Sequence, residues 1–344
     1  MSQYGSDMTR ITRVAELDQP APAADGPLRL VGRPIPGPSH NEVLIAVNAC
    51  GVCRTDLQLA EGDLELHLHP IVPGHQIVGE VIAAGAGANR SIGSRVGLTW
   101  LASTCGRCGF CRSGRENLCP GARFTGWDRD GGFAEAVVAD SRFVVPVPDD
   151  MNDVDVAPLL CGGVIGHRAL RSTGLTTGQR LGLYGFGASA TIVLQLALHQ
   201  GLDVHVATRS PLDQERALTL GAQSIGPYHE PPPQPLDAAI SFAPVGSVVI
   251  DALRAVDRGG SVVVNAIHLD GIPAFDYGLL WHERSIKSVA NVTRRDAVEL
   301  LELAERIPLV THHQQYRLED ANQALADLAS GQVSGAAVLV PSDR

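Results

Sequence analysis

The chain has 344 residues, 44% of them hydrophobic and 19% charged, which supports a large buried core, suggests two domains and excludes a disordered chain. Its formal net charge of -10 disfavours nucleic acid and anionic membrane as partners, because an acidic surface is repelled by both. No apolar run reaches the roughly 18–20 residues of a membrane span, and the polar stretch Met1–Arg10 lacks the apolar core of a signal peptide, so it reads as a disordered leader or an appended remnant of a cytoplasmic protein.

In chain order, the first half offers short strands punctuated by glycine and proline: Glu42–Asn48, Gln76–Ala83, Arg95–Thr99 and Phe133–Ala139. That rhythm predicts a barrel-like or sandwich-like domain. Near Ala157 the pattern changes. A strand at Leu181–Tyr184 is followed by a helix at Ala188–Gln200, a strand at Asp203–Thr208, a helix at Leu212–Leu220, and strands at Ala238–Phe242 and Ser261–Asn265. Strands alternating with helices predict βαβ units and a parallel sheet. Pro231–Pro235 reads as a surface loop inside this domain, because the alternation resumes after it. The tail carries helical patterns at Arg295–Arg306 and Glu319–Ala329 and closes on an apolar strand, Ala336–Val340.

Seven cysteines in a reducing compartment point to metal ligands or buried thiols rather than disulfides. Four of them, Cys105, Cys108, Cys111 and Cys119, share one glycine-rich loop, CGRCGFCRSGRENLC. Four thiolates satisfy tetrahedral zinc, and their short spacing lets one loop wrap the ion with little entropy to lose. Such a site has no open position, so the residues predict a structural zinc; redox-active thiols or an iron–sulfur cluster are the alternatives. Three further candidates lie far apart: Cys53 in GVCRTD, His75 in PGHQIVGE and Cys161 in LLCGG. Two thiolates and one imidazole are a known ligand set for a catalytic zinc with one open position, although each residue taken alone reads more readily as a buried thiol or a solvated histidine.

The strand Leu181–Tyr184 runs into Gly185-Phe186-Gly187-Ala188-Ser189-Ala190, the G-x-G-x-x-A form of a dinucleotide-binding turn. Gly185 allows the tight turn. Gly187 admits the pyrophosphate at the start of a helix opening on Ala188, and Ala190 lets helix and strand pack closely. In the NAD-binding version a carboxylate ends the second strand about 20 residues after the turn. Here Thr208, Arg209 and Ser210 occupy that place, and Asp213 falls too far along. A guanidinium between two hydroxyls suits a 2′-phosphate, which a carboxylate would repel. The residues therefore predict NADP(H) in preference to NAD(H); the latter is possible if Arg209 is a solvated charge lying on the adenine.

Taken in order, GVCRTD, GHQIVGE, the cysteine loop, DGGFAE, LLCGG and GFGASA resemble the zinc-containing alcohol dehydrogenases of the medium-chain dehydrogenase/reductase superfamily, over nearly the whole chain from about Leu28 to Val340. The resemblance implies an α/β fold with a Rossmann doubly wound parallel sheet and a GroES-like β-barrel-type catalytic domain. It divides the chain into a catalytic domain over 1–156, a dinucleotide-binding domain over 157–293 and a segment over 294–344 that returns to the first domain. It implies two zinc ions per chain, the catalytic one held by Cys53, His75 and Cys161. Asp56 would orient the histidine ligand, and Thr55 would bond to the substrate oxygen. It further implies a small alcohol or aldehyde substrate and a homodimer or homotetramer.

Two positions depart from the family: Gln76 stands where a glutamate follows the ligand histidine, and Gln58 stands where a histidine ends a proton relay. Gln58 cannot act as a base, so the proton must leave by another route. Trp100 lies where the resemblance places an aromatic of the substrate pocket; Trp127 and Trp281 read as packing residues. A polyol or formaldehyde dehydrogenase of the same superfamily is a close rival. A non-enzymatic zinc-binding recognition module is a remote one, opposed by the dinucleotide turn and the acidic charge.

Overall fold

The computed structural model describes residues 10–267 and 269–341, so all of the expected leader except Arg10 lies outside them. The chain divides into two compact units. One holds the residues up to Cys161, Thr293–Glu305 and those from Thr311 on; the other holds Gly162–Val292 with Arg306–Val310.

The first unit opens with β1 (Arg10–Leu17) and β2 (Leu28–Ile35), an antiparallel ribbon. It had no clear sequence signal, because charged residues interrupt both strands. Next come β3 (Glu42–Val52), α1 (Arg54–Glu61), β4 (Gln76–Ala84) and β5 (Arg95–Leu98). β3 is buried at nearly every position and pairs antiparallel with β4, which pairs in turn with β5. β6 (Leu101–Ser103) and β7 (Arg123–Phe124) pair across the four-cysteine loop, which contains the short helix α2 (Gly109–Arg112). β8 (Ala136–Asp140) returns to β3, β9 (Val144–Pro146) to β5, and α3 (Asp153–Val156) leads toward Cys161. Leu17, Ile45, Leu57, Ile71, Ile77, Leu98 and Phe133 are fully buried at the centre of this unit.

The second unit begins with α4 (Gly162–Thr173), a helix the sequence pattern did not reveal because glycines at its start lower helix propensity. There follow β10 (Arg180–Tyr184), α5 (Ala188–His199), β11 (Asp203–Ala207), α6 (Pro211–Thr219) and β12 (Ser224–Gly226). The rest of the unit is β13 (Leu236–Ser241), α7 (Gly246–Ala255), β14 (Val256–Val264) and β15 (Ser285–Ser288). The six strands are all parallel, in the order β12-β11-β10-β13-β14-β15. Counted within the unit this is 3-2-1-4-5-6, the doubly wound order whose reversal beside the first strand makes a ligand crevice at the strands' carboxyl ends. Pro231–Pro235 is a mostly exposed loop before β13, as expected.

The tail rejoins the first unit. α8 (Arg294–Ala304) starts on a reciprocal cap in which Thr293 and Asp296 exchange hydrogen bonds. β16 (His313–Arg317), α9 (Ala321–Ala329) and β17 (Ala336–Val340) follow, and β17 pairs antiparallel with β3. The resulting sheet runs β16-β17-β3-β4-β5-β9, with β8 also on β3. Among the described residues no helix is long and apolar enough to cross a membrane.

Candidate active site and metal centres

In the first unit, three distant elements converge. Cys53 caps the N-terminus of α1, His75 immediately precedes β4, and Cys161 ends the unit. The Cys53 Sγ lies 3.5 Å from His75 Nε2, which lies 3.3 Å from Cys161 Sγ. Asp56 builds this arrangement from two sides. One carboxylate oxygen accepts from the Cys53 N–H at 2.8 Å and fixes the start of α1. The other accepts from the Gly74 N–H at 3.1 Å and stands 3.4 Å from His75 Nδ1. Asp56 and His75 are both buried. With its Nδ1 facing a carboxylate, His75 turns Nε2 to the two sulfurs.

The protonation equilibria of the three groups are shared. Cys53 is drawn down to about 6, first by the hydrogen bond from Cys161, although removal from water opposes it. Removal from water also disfavours the charged His75 ring, but the Cys53 thiolate and Asp56 override it and raise His75 to about 10. Cys161 stands well above an ordinary thiol because its S–H keeps its proton to donate a hydrogen bond to the Cys53 sulfur, and because it is desolvated.

The second group lies in the loop between β6 and β7. Cys108 and Cys111 have sulfurs 3.5 Å apart, and Cys105 and Cys111 sulfurs are 3.9 Å apart. Backbone N–H groups point at the sulfurs: Cys108 N to Cys105 at 3.3 Å, Cys111 N to Cys108 at 3.5 Å, and both Cys105 N and Gly121 N to Cys119 at 3.5 and 3.4 Å. The N–H groups of Arg107 and Cys108 pull Cys105 down to about 6, whereas desolvation lifts Cys119 to about 11.

Donors at the corners of a tetrahedron with zinc bond lengths stand about 3.3–3.8 Å apart. The separations in both groups fall at or near that range, and within each group the donor atoms all lie within 4.8 Å of one another. Both sets therefore fit a zinc ion, one with four protein donors and one with three.

Around the three-donor group, Thr55 is buried on the first turn of α1, and Gln58 is buried further along the same helix. Gln76 is buried opposite Gly51 on β3, with its Nε2 unpartnered. Cys50 is buried and its thiol is raised, chiefly by desolvation. The Trp100 ring lies 6.0 Å from the His75 ring. Trp127, expected only to pack, joins Trp100 and Phe124 in a row of aromatic rings and stacks on His67 at 4.3 Å. Trp281 is not a packing residue: it is 57% exposed in the second unit, with edge contacts to Tyr277 and His282.

In the second unit the glycine turn joins β10 to α5. Gly185 has φ +97°, and a Cβ there would come within 3.0 Å of the Ala243 nitrogen, so both backbone freedom and space require glycine. A Cβ on Gly187 would meet nothing within 4 Å, leaving open space at the first turn of α5, which begins at Ala188. Ala190 is fully buried. Open space at the N-terminus of a helix favours an anionic group, and a pyrophosphate is one such group.

At the end of β11, Thr208 is fixed by its N–H to Gly226 O at 2.9 Å and by Gln214 donating to its carbonyl at 2.8 Å. Ser210 caps α6 by accepting from the Asp213 N–H at 3.2 Å, and Arg209 between them is exposed. Asp213 is in the first turn of α6 and pairs with Arg216 at 3.1 Å. Sequence reasoning missed Arg216 and Tyr228. The Tyr228 hydroxyl is raised by desolvation and lowered by the neighbouring Arg209 and Thr208, a proximity that only the β11–β12 pairing brings about.

A doubly wound sheet with a dinucleotide turn, joined in one chain to a two-sulfur, one-imidazole donor set, defines a zinc-type nicotinamide oxidoreductase. Comparison with known proteins narrows the class. Residues 39–149 match the alcohol dehydrogenase GroES-like domain family. The chain is 48% identical to the Mycobacterium tuberculosis protein named probable alcohol dehydrogenase AdhA, over 94% of this chain and 96% of that one. It is 34% identical to an alcohol dehydrogenase of Geobacillus stearothermophilus, over 87% and 91%. A cobalt- and zinc-bound thermostable alcohol dehydrogenase from Pyrobaculum aerophilum superposes with a TM-score of 0.86 at 25% identity, over 96% of this chain and all of that one. The chain belongs to the zinc-type medium-chain alcohol dehydrogenases. It is an oxidoreductase that interconverts an alcohol and its carbonyl product, using zinc and a nicotinamide cofactor.

Proposed function

We propose that Cys53, His75 and Cys161 hold a catalytic zinc, that Cys105, Cys108, Cys111 and Cys119 hold a structural zinc, and that NADP(H) is preferred over NAD(H). The observation that carries the first assignment is the convergence of one imidazole and two sulfurs within 4.8 Å, backed by the Asp56 carboxylate behind His75. A zinc ion there supplies Lewis acidity to the alcohol oxygen, and the nicotinamide supplies the hydride acceptor.

The chain's residues do the rest. Asp56 fixes the His75 tautomer, keeping Nε2 free as a donor and raising its basicity. Thr55 accepts the proton of the alcohol through its hydroxyl and passes it on. Gln58 can relay a hydrogen bond but cannot take up the proton, so it leaves through water or a cofactor ribose hydroxyl. Trp100 forms an apolar wall beside His75. Gly185, Gly187, Ala188 and Ala190 seat the pyrophosphate, and Thr208, Arg209 and Ser210 bind the 2′-phosphate on the adenosine ribose.

Substrates are small alcohols and aldehydes rather than polyols or formaldehyde adducts, and the enzyme works in the cytoplasm as a homodimer or homotetramer. A panel of alcohols and aldehydes with each nicotinamide cofactor tests the reading. Turnover of simple alcohols with a higher kcat/KM for NADP+ is expected. Exclusive turnover of polyols or of formaldehyde adducts, or a tenfold preference for NAD+ unchanged in Arg209→Ala, would overturn it.

A further inference from the structure

Arg216, on α6, touches the glycine turn twice, through the Phe186 carbonyl and ring, and also contacts Thr191 on α5 and Asp213 on its own helix. Its Nη2 donates to the carbonyl oxygen of Phe186 at 3.0 Å, lies 3.4 Å from Thr191 Oγ1 on α5, and pairs with Asp213 Oδ1 at 3.1 Å. The guanidinium also sits 5.2 Å from the centre of the Phe186 ring, which is buried. Phe186 is the residue between the two glycines of the turn. One side chain thus grips both the ring and the backbone of the segment on which the pyrophosphate must rest.

The consequence follows from the planarity of the peptide unit. In a trans peptide the C=O of one residue and the N–H of the next point to opposite sides. With the Phe186 carbonyl held toward Arg216, the Gly187 N–H is directed the other way. The rest of the turn supports this setting: the Gly185 N–H donates to Ala207 O at 2.8 Å, and the Thr191 N–H and hydroxyl both donate to Gly187 O at 3.0 Å. A rotation of this one peptide would replace a donor facing the ligand with a carbonyl oxygen, which repels phosphate. Glycine on one side of the bond makes that rotation easy unless something opposes it.

We propose that Arg216 is a positioning residue for the cofactor: it locks the Phe186–Gly187 peptide so that the Gly187 N–H faces the pyrophosphate. The inference rests on the dinucleotide reading of this turn. It differs from the role given to Arg209, which concerns only the 2′-phosphate. Arg216 acts on a group common to NADH, NADPH and ADP-ribose, so its loss lowers affinity for all three alike.

The test is binding, by calorimetry with ADP-ribose and by fluorescence titration with NADH and NADPH. Arg216→Met keeps an apolar stem over Phe186 and removes the donor; Arg216→Lys restores one charged donor. Arg216→Met removes a charge-assisted hydrogen bond and is expected to raise Kd for all three ligands about tenfold or more. Arg216→Lys should recover much of that loss. Adenosine, which lacks phosphate, should inhibit the parent and both variants with the same Ki. A Kd for ADP-ribose within twofold of the parent in Arg216→Met overturns the proposal, and so does an equal loss of adenosine affinity. If Arg216→Met does not fold, the lysine variant decides: a loss as large for adenosine as for ADP-ribose rejects the assignment. Failure of the parent itself to bind ADP-ribose or either dinucleotide would reject the dinucleotide reading instead.

Discussion

The two cysteine-containing groups answer the same demand for zinc-like donors by different means. Cys105, Cys108, Cys111 and Cys119 belong to one loop, and that loop arranges its own sulfurs by pointing backbone N–H groups at them. Cys53, His75 and Cys161 come from a helix cap, the residue before a strand and the end of a unit, and they meet only because β3, β4 and α1 are packed around them. The first group shapes its loop locally; the second inherits its geometry from the fold. A closed set of four donors has no position left for a substrate, whereas a set of three does. Stability should therefore depend on the loop, and turnover on the distributed group.

The largest expected effect tests the loop. Cys105→Ala should lose most of its soluble folded protein, because structural zinc in small domains supplies about 10–16 kcal/mol of apparent binding free energy. A variant with the parent's melting temperature would show that the loop does not need its ion. Next is the distributed group. His75→Ala should lose turnover by about a thousandfold or more, as removal of a catalytic metal ligand disables the site, yet still quench or enhance reduced-cofactor fluorescence like the parent. Turnover within about tenfold of the parent's, with intact cofactor binding, would remove His75 from the site.

The proton path gives an intermediate effect. Thr55→Ala should lower kcat about a hundredfold, within the range for a positioned proton acceptor, while Thr55→Ser keeps most of the rate. Equal kcat in the alanine and parent enzymes would mean the hydroxyl is not used. pH sharpens the contrast further. His75 and Cys161 both hold their protons near neutrality, His75 because Cys53 and Asp56 raise it to about 10 against the opposing effect of desolvation, and Cys161 because of its hydrogen bond to Cys53 and desolvation. Zinc must displace those protons, so uptake at this group should weaken steadily as pH falls from about 8 to 6. Chelator competition at the two ends of that window measures it, and an affinity independent of pH would contradict the shared protonation described above. The smallest effect is cofactor choice: Arg209→Ala should reduce the NADPH-over-NADH preference about tenfold, the worth of one charged hydrogen bond, with little change for NADH.

Legibility in the sequence followed the same division. The four-cysteine loop and the glycine turn are local, and each could be read from the spacing of a few residues. The distributed group could not be assembled from spacing: Cys53, His75 and Cys161 each had an ordinary alternative, and only the ordered family motifs joined them. The packing shows the reason, since Asp56 links the Cys53 and Gly74 N–H groups across a distance in sequence that no periodicity encodes. Strongly apolar strands such as β3 and β10 were visible, but the β1–β2 ribbon and β15 were not, because polar and charged residues hide their alternation. Arg216 was invisible for another reason: on a helix with Asp213 one turn before it, an arginine looks like half of a surface pair. Its grip on Phe186 exists only once α6 packs beside the turn.

The most direct measurement is zinc content by elemental mass spectrometry on the parent and on the Cys53→Ala/His75→Ala double variant, each purified without added chelator. The account predicts two zinc ions per chain in the parent. It predicts one in the double variant, with a melting temperature close to the parent's and no turnover. Two zinc ions in the double variant, or none in a protein that remains folded, would contradict the division into a closed structural site and an open catalytic one.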